Sequence, residues 1–309
     1  MGLPSLSAVE SKLIRDENGT WRWESPPPDT TNTEYAKVMP IYFTAYDRLF
    51  IAAKKRSEFE FLYAIVEFVE NSNQDPFETT KRTFREMLKL HDQAEGFAAN
   101  VLSLWLYGHM VEASYPYQVV GDLASIAAGQ QHQLHVFPPN DKGEEMGPGP
   151  KITQIEEILK PLRMKACVKP MREAWHSNLR NALFHSNYAL IGSDIFLPEK
   201  GIMMPFEDAM KRVNRAIASF NAFEGVLNAH RSFYPESIKI EVPIGRARYP
   251  NERATVVVRE GYGPVALYGI IDDAGIHPPA LIARLYPEEF ELVRAGIYKL
   301  PAQKEQTPP

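Results

Sequence analysis

Cysteine is almost absent from the sequence, which contains Cys167 alone among 309 residues. A single cysteine excludes an intramolecular disulfide and any zinc site built on cysteine pairs. Long apolar runs are also missing, because the most apolar stretch, 59–69, is interrupted by Glu60 and Glu67. A membrane-spanning helix needs roughly 18 uninterrupted apolar residues. The first residues lack a basic start followed by an apolar block, so we expect no secretory signal, a cytoplasmic location and no membrane partner.

A strong excess of charge is absent as well. The net charge is −5, which does not suit a protein that binds polyanions over its whole surface. One segment differs, because residues 151–185 contain seven basic and three acidic residues, a net charge of +4. That segment is either a local basic patch or a solvated helix face.

Motifs for cofactors and metals are missing too. The glycine-rich stretch 143–149 lacks the strand and the lysine of a phosphate-binding loop. His132 and His135 have a spacing that could ligate a metal, but no carboxylate or cysteine stands close by in the sequence. An acidic turn is the ordinary interpretation of Asp272-Asp273. We therefore predict no cofactor and no metal site.

The apolar pattern that is present is mainly helical, with 44% apolar and 24% charged residues overall. Apolar residues recur at steps of three and four through the middle of the chain. The first and last parts of the chain instead show short alternating or β-branched runs. The predicted units are an N-terminal appendage with a hairpin (1–35), a helical domain (36–235), a small β-rich extension (236–300) and a disordered tail (301–309).

Individual elements follow from the same pattern. Asn18-Gly19 predicts a type I′ hairpin turn between two short strands. The predicted helices include one from Phe77 toward Tyr107, one from 119 to 128, one from Met171 to Tyr188, and one from Pro205 to about Tyr234. A hairpin is expected between residues 189 and 204, and three short strands are expected after residue 236.

The motif with the clearest chemistry is Arg180-Asn181-Ala182-Leu183-Phe184-His185, within the predicted helix 171–188. At about 100° per residue, the apolar residues of this helix lie on one arc and Arg180 lies nearly opposite that arc. Asn181 and His185, four residues apart, lie together on the flank of the arc. Phe184 also points away from the core arc, where a large aromatic ring favours a second covering surface such as another subunit or a ligand.

These side chains suit chemistry on phosphodiesters. Histidine titrates near neutrality and can accept or donate a proton. Arginine stays charged and offers a planar donor fork that matches phosphate oxygens, and asparagine can orient either group. Such a set could cleave RNA without a metal, because the attacking 2′-hydroxyl belongs to the substrate, and DNA lacks it.

The spacing Arg180-Asn181-x-x-x-His185 resembles the Arg-[Asn/Asp/His]-x-x-x-His signature of HEPN-domain ribonucleases, which are helical-bundle proteins common among prokaryotic toxins and antiviral effectors. The resemblance covers at most residues 35–234. It implies a HEPN-like helical bundle, and it implies a homodimer in which two motifs form a composite active site. A looser match, Arg85 to His91, is better explained as a helix surface.

The resemblance implies that Arg180 and His185 are catalytic and that Asn181 supports them. The molecule would be a metal-independent endoribonuclease with RNA as substrate, in a toxin or antiviral setting with an antitoxin or activating partner. Candidate substrate-binding residues are His176, Tyr188, Lys211 and Arg212. The alternative is a non-catalytic helical module that binds a nucleotide or a protein partner.

Overall fold

A computed structural model of the chain describes residues 3–4, 12–24, 33–66, 76–133, 136–139, 143–244, 247, 253–259, 263–270 and 282–283. The predicted tail 301–309 lies outside the described residues. The fold is mainly helical, as expected from the apolar pattern. The helices are α1 (Glu34–Arg56), α2 (Glu58–Val66), α3 (Pro76–Asp92), α4 (Gly96–Glu112), α5 (Ser114–Ala127), α6 (Pro148–Leu159), α7 (Lys169–Ala174), α8 (Ser177–Phe184) and α9 (Phe206–Ser232).

Within the described residues the strands form three small antiparallel sheets. They are β1 (Leu13–Arg15) with β2 (Trp21–Trp23), then β3 (Ala189–Ile191), β4 (Asp194–Leu197) and β5 (Ile202–Pro205), and finally β6 (Ile238–Glu241), β7 (Arg253–Arg259), β8 (Gly263–Ile270) and β9 (Ile282–Ala283). Within each sheet the strands pair in chain order. The structure therefore has a three-stranded sheet where a hairpin was expected after the motif. It has four C-terminal strands where three were expected.

The core lies between the two longest helices, α1 and α9. Tyr46 packs edge-on against Phe223, with ring centroids 6.0 Å apart, and Phe50 contacts the same ring. Close packing also depends on Gly225, because a Cβ atom at that position would lie 2.5 Å from the Phe43 ring. These aromatic side chains therefore join α1 to α9.

The N-terminal hairpin is hydrogen-bonded to α1 at a backbone carbonyl that the helix itself leaves without a partner. Pro40 lies inside α1 and has no N–H, so the helix itself leaves the carbonyl of Ala36 without its usual partner. The Trp23 indole Nε1 donates to that carbonyl at 2.9 Å. The described part of the predicted appendage is thus packed directly on the helical body.

The predicted type I′ turn in this hairpin is wrong. The loop spans five residues, and Gly19 has a positive φ of 77° whereas Asn18 does not. The Asp16 side chain accepts from the backbone N–H groups of Asn18 and Thr20. This carboxylate organises a turn with a single left-handed residue, which a type I′ turn does not allow.

Two predicted long helices are broken in the structure. The helix expected from Phe77 toward Tyr107 divides into α3 and α4, and Gly96 has a φ of +55° at the start of α4. The helix expected from Met171 to Tyr188 divides into α7 and α8. The helix predicted from 119 to 128 begins earlier, at Ser114. A short break hardly disturbs a 3.6-residue period, so periodicity does not reveal it.

Candidate functional site

The short helix α8 carries the motif, and its start is built by His176. The His176 Nδ1 accepts from the Leu179 N–H at 3.2 Å, which makes this histidine the N-cap of α8. The His176 backbone N–H donates to the hydroxyl of buried Tyr107 at 2.9 Å. These two bonds satisfy groups that the break between α7 and α8 would otherwise leave open, and they attach the motif helix to α4.

The end of α8 places His185 at the surface. The N–H of Ser186 donates to the Leu183 carbonyl and the N–H of Asn187 to the Ala182 carbonyl, which is the pattern of a Schellman motif. Ser186 takes the left-handed conformation that this motif needs, with a φ of +51°. His185 is the C-cap residue and is exposed.

Arg180 is held by three neighbours and remains half-buried. Its Nε donates to Glu112 Oε1 at the end of α4, at 2.5 Å. Its Nη1 donates to Asn181 Oδ1 at 3.2 Å, and its guanidinium lies 4.9 Å from the centroid of the Phe184 ring. The hydrogen bond that Arg180 donates to Glu112 raises the pKa of Arg180 further above its ordinary value, so the arginine is a fixed cation.

Asn181 contacts Arg180 directly through this hydrogen bond. His185 is different, because within the described part of the chain its ring takes part in no hydrogen bond or ion pair. On a helix, positions five apart point about 140° away from each other and lie about 7.5 Å apart along the axis. Arg180 and His185 of one chain therefore leave α8 in different directions.

An exposed aromatic surface adjoins the motif. Phe184 is 44% exposed, and Trp105 on α4 is 45% exposed. A Cβ atom at Gly108 would lie 3.4 Å from the Phe184 ring, so Phe184 rests on α4 one turn from Trp105. Large exposed aromatic residues grouped in this way are typical of a surface that another molecule covers.

Three of the four candidate substrate-binding residues line one cavity. His176, Lys211 and Arg212 border a cleft of about 450 Å³ between β5 and the start of α9, here called the β5–α9 cleft. Tyr188, the fourth, is half-buried and packs against the hydrophobic core. The structure thus groups three of these residues and places Tyr188 apart from them.

Two residues of this region escaped the sequence analysis. Glu112 pairs with the motif arginine, and Tyr107 anchors the start of α8. Glu112 and Tyr107 lie 68 and 69 residues before their partners. No local spacing signals such a contact, and an alignment of related chains would be the signal able to find it.

The other residues considered as metal ligands either have a structural partner or lie outside the described residues. His132 is buried and bonds Asp122 through Nδ1, which explains one member of the His132–His135 pair. His135 and Asp272-Asp273 lie outside the described residues. Among the residues that the structure describes, no group of three or more histidine, cysteine or acidic side chains is placed to hold a metal ion.

Comparison with protein-family models, with curated proteins and with solved structures found no match. The described helices include none that is both long and apolar enough to cross a membrane. The site must therefore be interpreted from its own geometry.

Proposed function

We propose that this protein is a metal-independent endoribonuclease of the HEPN type, acting as a homodimer with a composite active site. The observation that carries the proposal is the arrangement of α8, which holds a charged arginine in place and leaves an exposed histidine at the end of the same helix. This is the pair of groups that phosphodiester cleavage by an internal 2′-hydroxyl requires.

In this mechanism Arg180 stabilises the negative charge that develops on the transferred phosphate. Its guanidinium is ordered by Glu112 and Asn181, so little reorganisation is needed during the reaction. His185 takes the proton from the 2′-hydroxyl or gives one to the leaving 5′-oxygen. The oxygen–phosphorus bond to the 2′-oxygen forms as the bond to the 5′-oxygen breaks, which leaves a 2′,3′-cyclic phosphate.

The composite site follows from the divergence of Arg180 and His185 within one chain. We expect a second copy docked on the surface of Phe184 and Trp105 to bring the His185 of one copy toward the Arg180 of the other. We expect Phe184→Asp to weaken this dimer without unfolding the chain, because the ring is 44% exposed. Sedimentation analysis at micromolar concentration measures it, and a wild-type protein that is strictly monomeric would contradict the composite site.

The pairing of Arg180 with Glu112 also favours the alternative, a binding module in which the arginine has a structural partner. Cleavage of a mixed RNA pool in EDTA distinguishes the two functions. We expect His185→Ala to lose activity at least a hundredfold, whereas His91→Ala, the histidine of the looser motif match, should cleave like the wild type. Equal cleavage by all three proteins, or none by the wild type, would favour the binding module. A toxin or antiviral role, with an antitoxin or an activator, rests on the motif resemblance alone.

A further inference from the structure

The β5–α9 cleft contains a cation whose donors are largely unused. Arg212 Nη1 donates to the Glu173 carbonyl at 2.7 Å. Within the described residues no acceptor engages its Nε and Nη2. The other two cations of the cleft are neutralised, because Lys211 pairs with Glu207 and Asp208 and Arg215 pairs with Glu34. The free fork of Arg212 is thus the group best suited to an incoming anion.

A second donor belongs to the same cleft. His176 Nδ1 already accepts a hydrogen bond from the backbone of α8, so the ring proton of the neutral imidazole lies on Nε2. Burial, followed by the nearby charge of Arg212, lowers the pKa of His176 below its ordinary value. The imidazole is therefore a neutral hydrogen-bond donor at pH 7, beside the positive charge of Arg212.

The β5 wall of the cleft is apolar and open, and Asp208, the partner of Lys211, also lines the cleft. Ile202 and Met203 of β5 are 39% and 47% exposed, and Pro205 continues the same wall. The volume of about 450 Å³ lies in the range of small-ligand sites. An anion-binding side facing an apolar wall matches one nucleotide, with its phosphate on Arg212 and its base against Met203.

The position of the cleft relates it to the motif. The charges of Arg212 and Arg180 both act on the hydroxyl of Tyr107, so both arginines lie near this hydroxyl, which anchors the start of α8. His176 and His185 stand at opposite ends of α8, about 14 Å apart along its axis. A stacked strand rises about 3.4 Å per nucleotide, so about four nucleotides would connect the two ends.

From this geometry we infer that the β5–α9 cleft binds one nucleotide of the RNA strand, about four nucleotides from the bond that is cleaved. The inference rests on the proposed function, since it takes RNA as the occupant. It assigns to Arg212 and His176 the binding of a phosphate that does not react, and it assigns to Met203 the contact with a base.

The test is the affinity of the full chain for a fluorescent eight-residue RNA of mixed sequence with 2′-O-methyl groups, which cannot be cleaved by 2′-hydroxyl attack. We expect Arg212→Gln to raise the Kd about tenfold and to reduce the slope of log K against log salt by about 0.7. The matched control is Arg85→Gln, because Arg85 pairs with Glu224, about 18 Å further along α9. Its affinity should stay within twofold of the wild type.

A second variant guards against unfolding of Arg212→Gln, which loses its bond to the Glu173 carbonyl. Met203 is exposed, so Met203→Ser should leave the melting temperature unchanged and raise the Kd about threefold. Equal affinities of wild type, Arg212→Gln and Met203→Ser would overturn the inference, as would failure of the wild type to bind the probe. Displacement of the probe by micromolar adenosine monophosphate would overturn the assignment to an RNA strand and identify a free nucleotide as the occupant.

Failure of the inference can be told apart from failure of the proposed function. Binding that depends on Arg212, without cleavage of ordinary RNA, would contradict the ribonuclease and support the cleft. Cleavage with an Arg212→Gln affinity equal to that of the wild type would contradict the cleft and support the ribonuclease.

Discussion

The contact between Glu112 and Arg180 gives the most discriminating prediction for the mechanism. Glu112→Gln keeps the size of the side chain and an acceptor oxygen but removes the charge that faces the Arg180 Nε. Both side chains are about one quarter exposed, at 28% and 26%. Exposed ion pairs contribute roughly 0.2–1 kcal/mol and hydrogen bonds to charged groups about 1.5–3 kcal/mol. We therefore expect the free energy of unfolding to fall by about 1 kcal/mol and the melting temperature by roughly 2–4 °C.

The chain offers a matched control in Glu156, which pairs with Arg172 away from the motif. That pair has two hydrogen bonds of 2.8 Å, and the Glu156 side chain is 23% exposed. Glu156→Gln should therefore lower the melting temperature by a similar amount. Its cleavage rate should remain that of the wild type, because Arg172 has no part in the proposed site.

The assay is the single-turnover rate of RNA cleavage at saturating protein. Complete loss of one preorganised donor to a developing oxyanion costs about 10²–10³ in rate. In Glu112→Gln the guanidinium stays but loses part of its fixed orientation, so we expect a decrease of about tenfold. An unchanged rate would refute the positioning role of Glu112. A faster rate would show that the carboxylate neutralises Arg180 and restrains the enzyme.

Two further predictions concern stability. Asp47 accepts from His230 Nε2 at 2.8 Å and from Trp21 Nε1 at 2.9 Å in the core. Asp47→Ala should therefore lower the free energy of unfolding, measured in urea, by about 3 kcal/mol. A loss below about 1 kcal/mol would contradict the stabilising role of this network. Burial and the charge of Arg212 lower the pKa of His176, so below pH of about 6.5 the unfolded chain binds this proton before the folded chain does. Stability should therefore fall from pH 7 to pH 5, and the fall should be smaller in His176→Asn, which retains a capping side chain; equal falls in both proteins would exclude His176 as a source.

The sequence pattern was sufficient for the mainly helical class because burial repeats at helical spacing along most of the chain. It was insufficient where a side chain changes the backbone path. His176 caps α8 and Asp16 shapes the hairpin loop. Both act through hydrogen bonds of single side-chain atoms, which the spacing of apolar residues does not reveal. The sequence did not indicate that Trp23 would donate to the carbonyl that Pro40 leaves free, because this contact between β2 and α1 forms only in the folded chain.

The candidate site was likewise predictable from the sequence only in part. The exposure of Phe184 followed from helix geometry, and its 44% exposure confirms that prediction. The partners of the motif could not be predicted, because Glu112 reaches Arg180 from a helix that ends 68 residues earlier. Lys211 and Arg212 were singled out for their charge and His176 for its place four residues before Arg180. Their common cleft depends on β5, which the predicted two-stranded hairpin did not place against α9.

The most direct measurement of the central claim is the chemical identity of the RNA ends that the protein produces in EDTA. The mechanism predicts 2′,3′-cyclic phosphate ends from the wild type, detected by mass spectrometry, and none above background from His185→Ala. Fragments that carry a 3′-hydroxyl, or equal amounts of cyclic phosphate from both proteins, would contradict a ribonuclease that uses the substrate 2′-hydroxyl and His185.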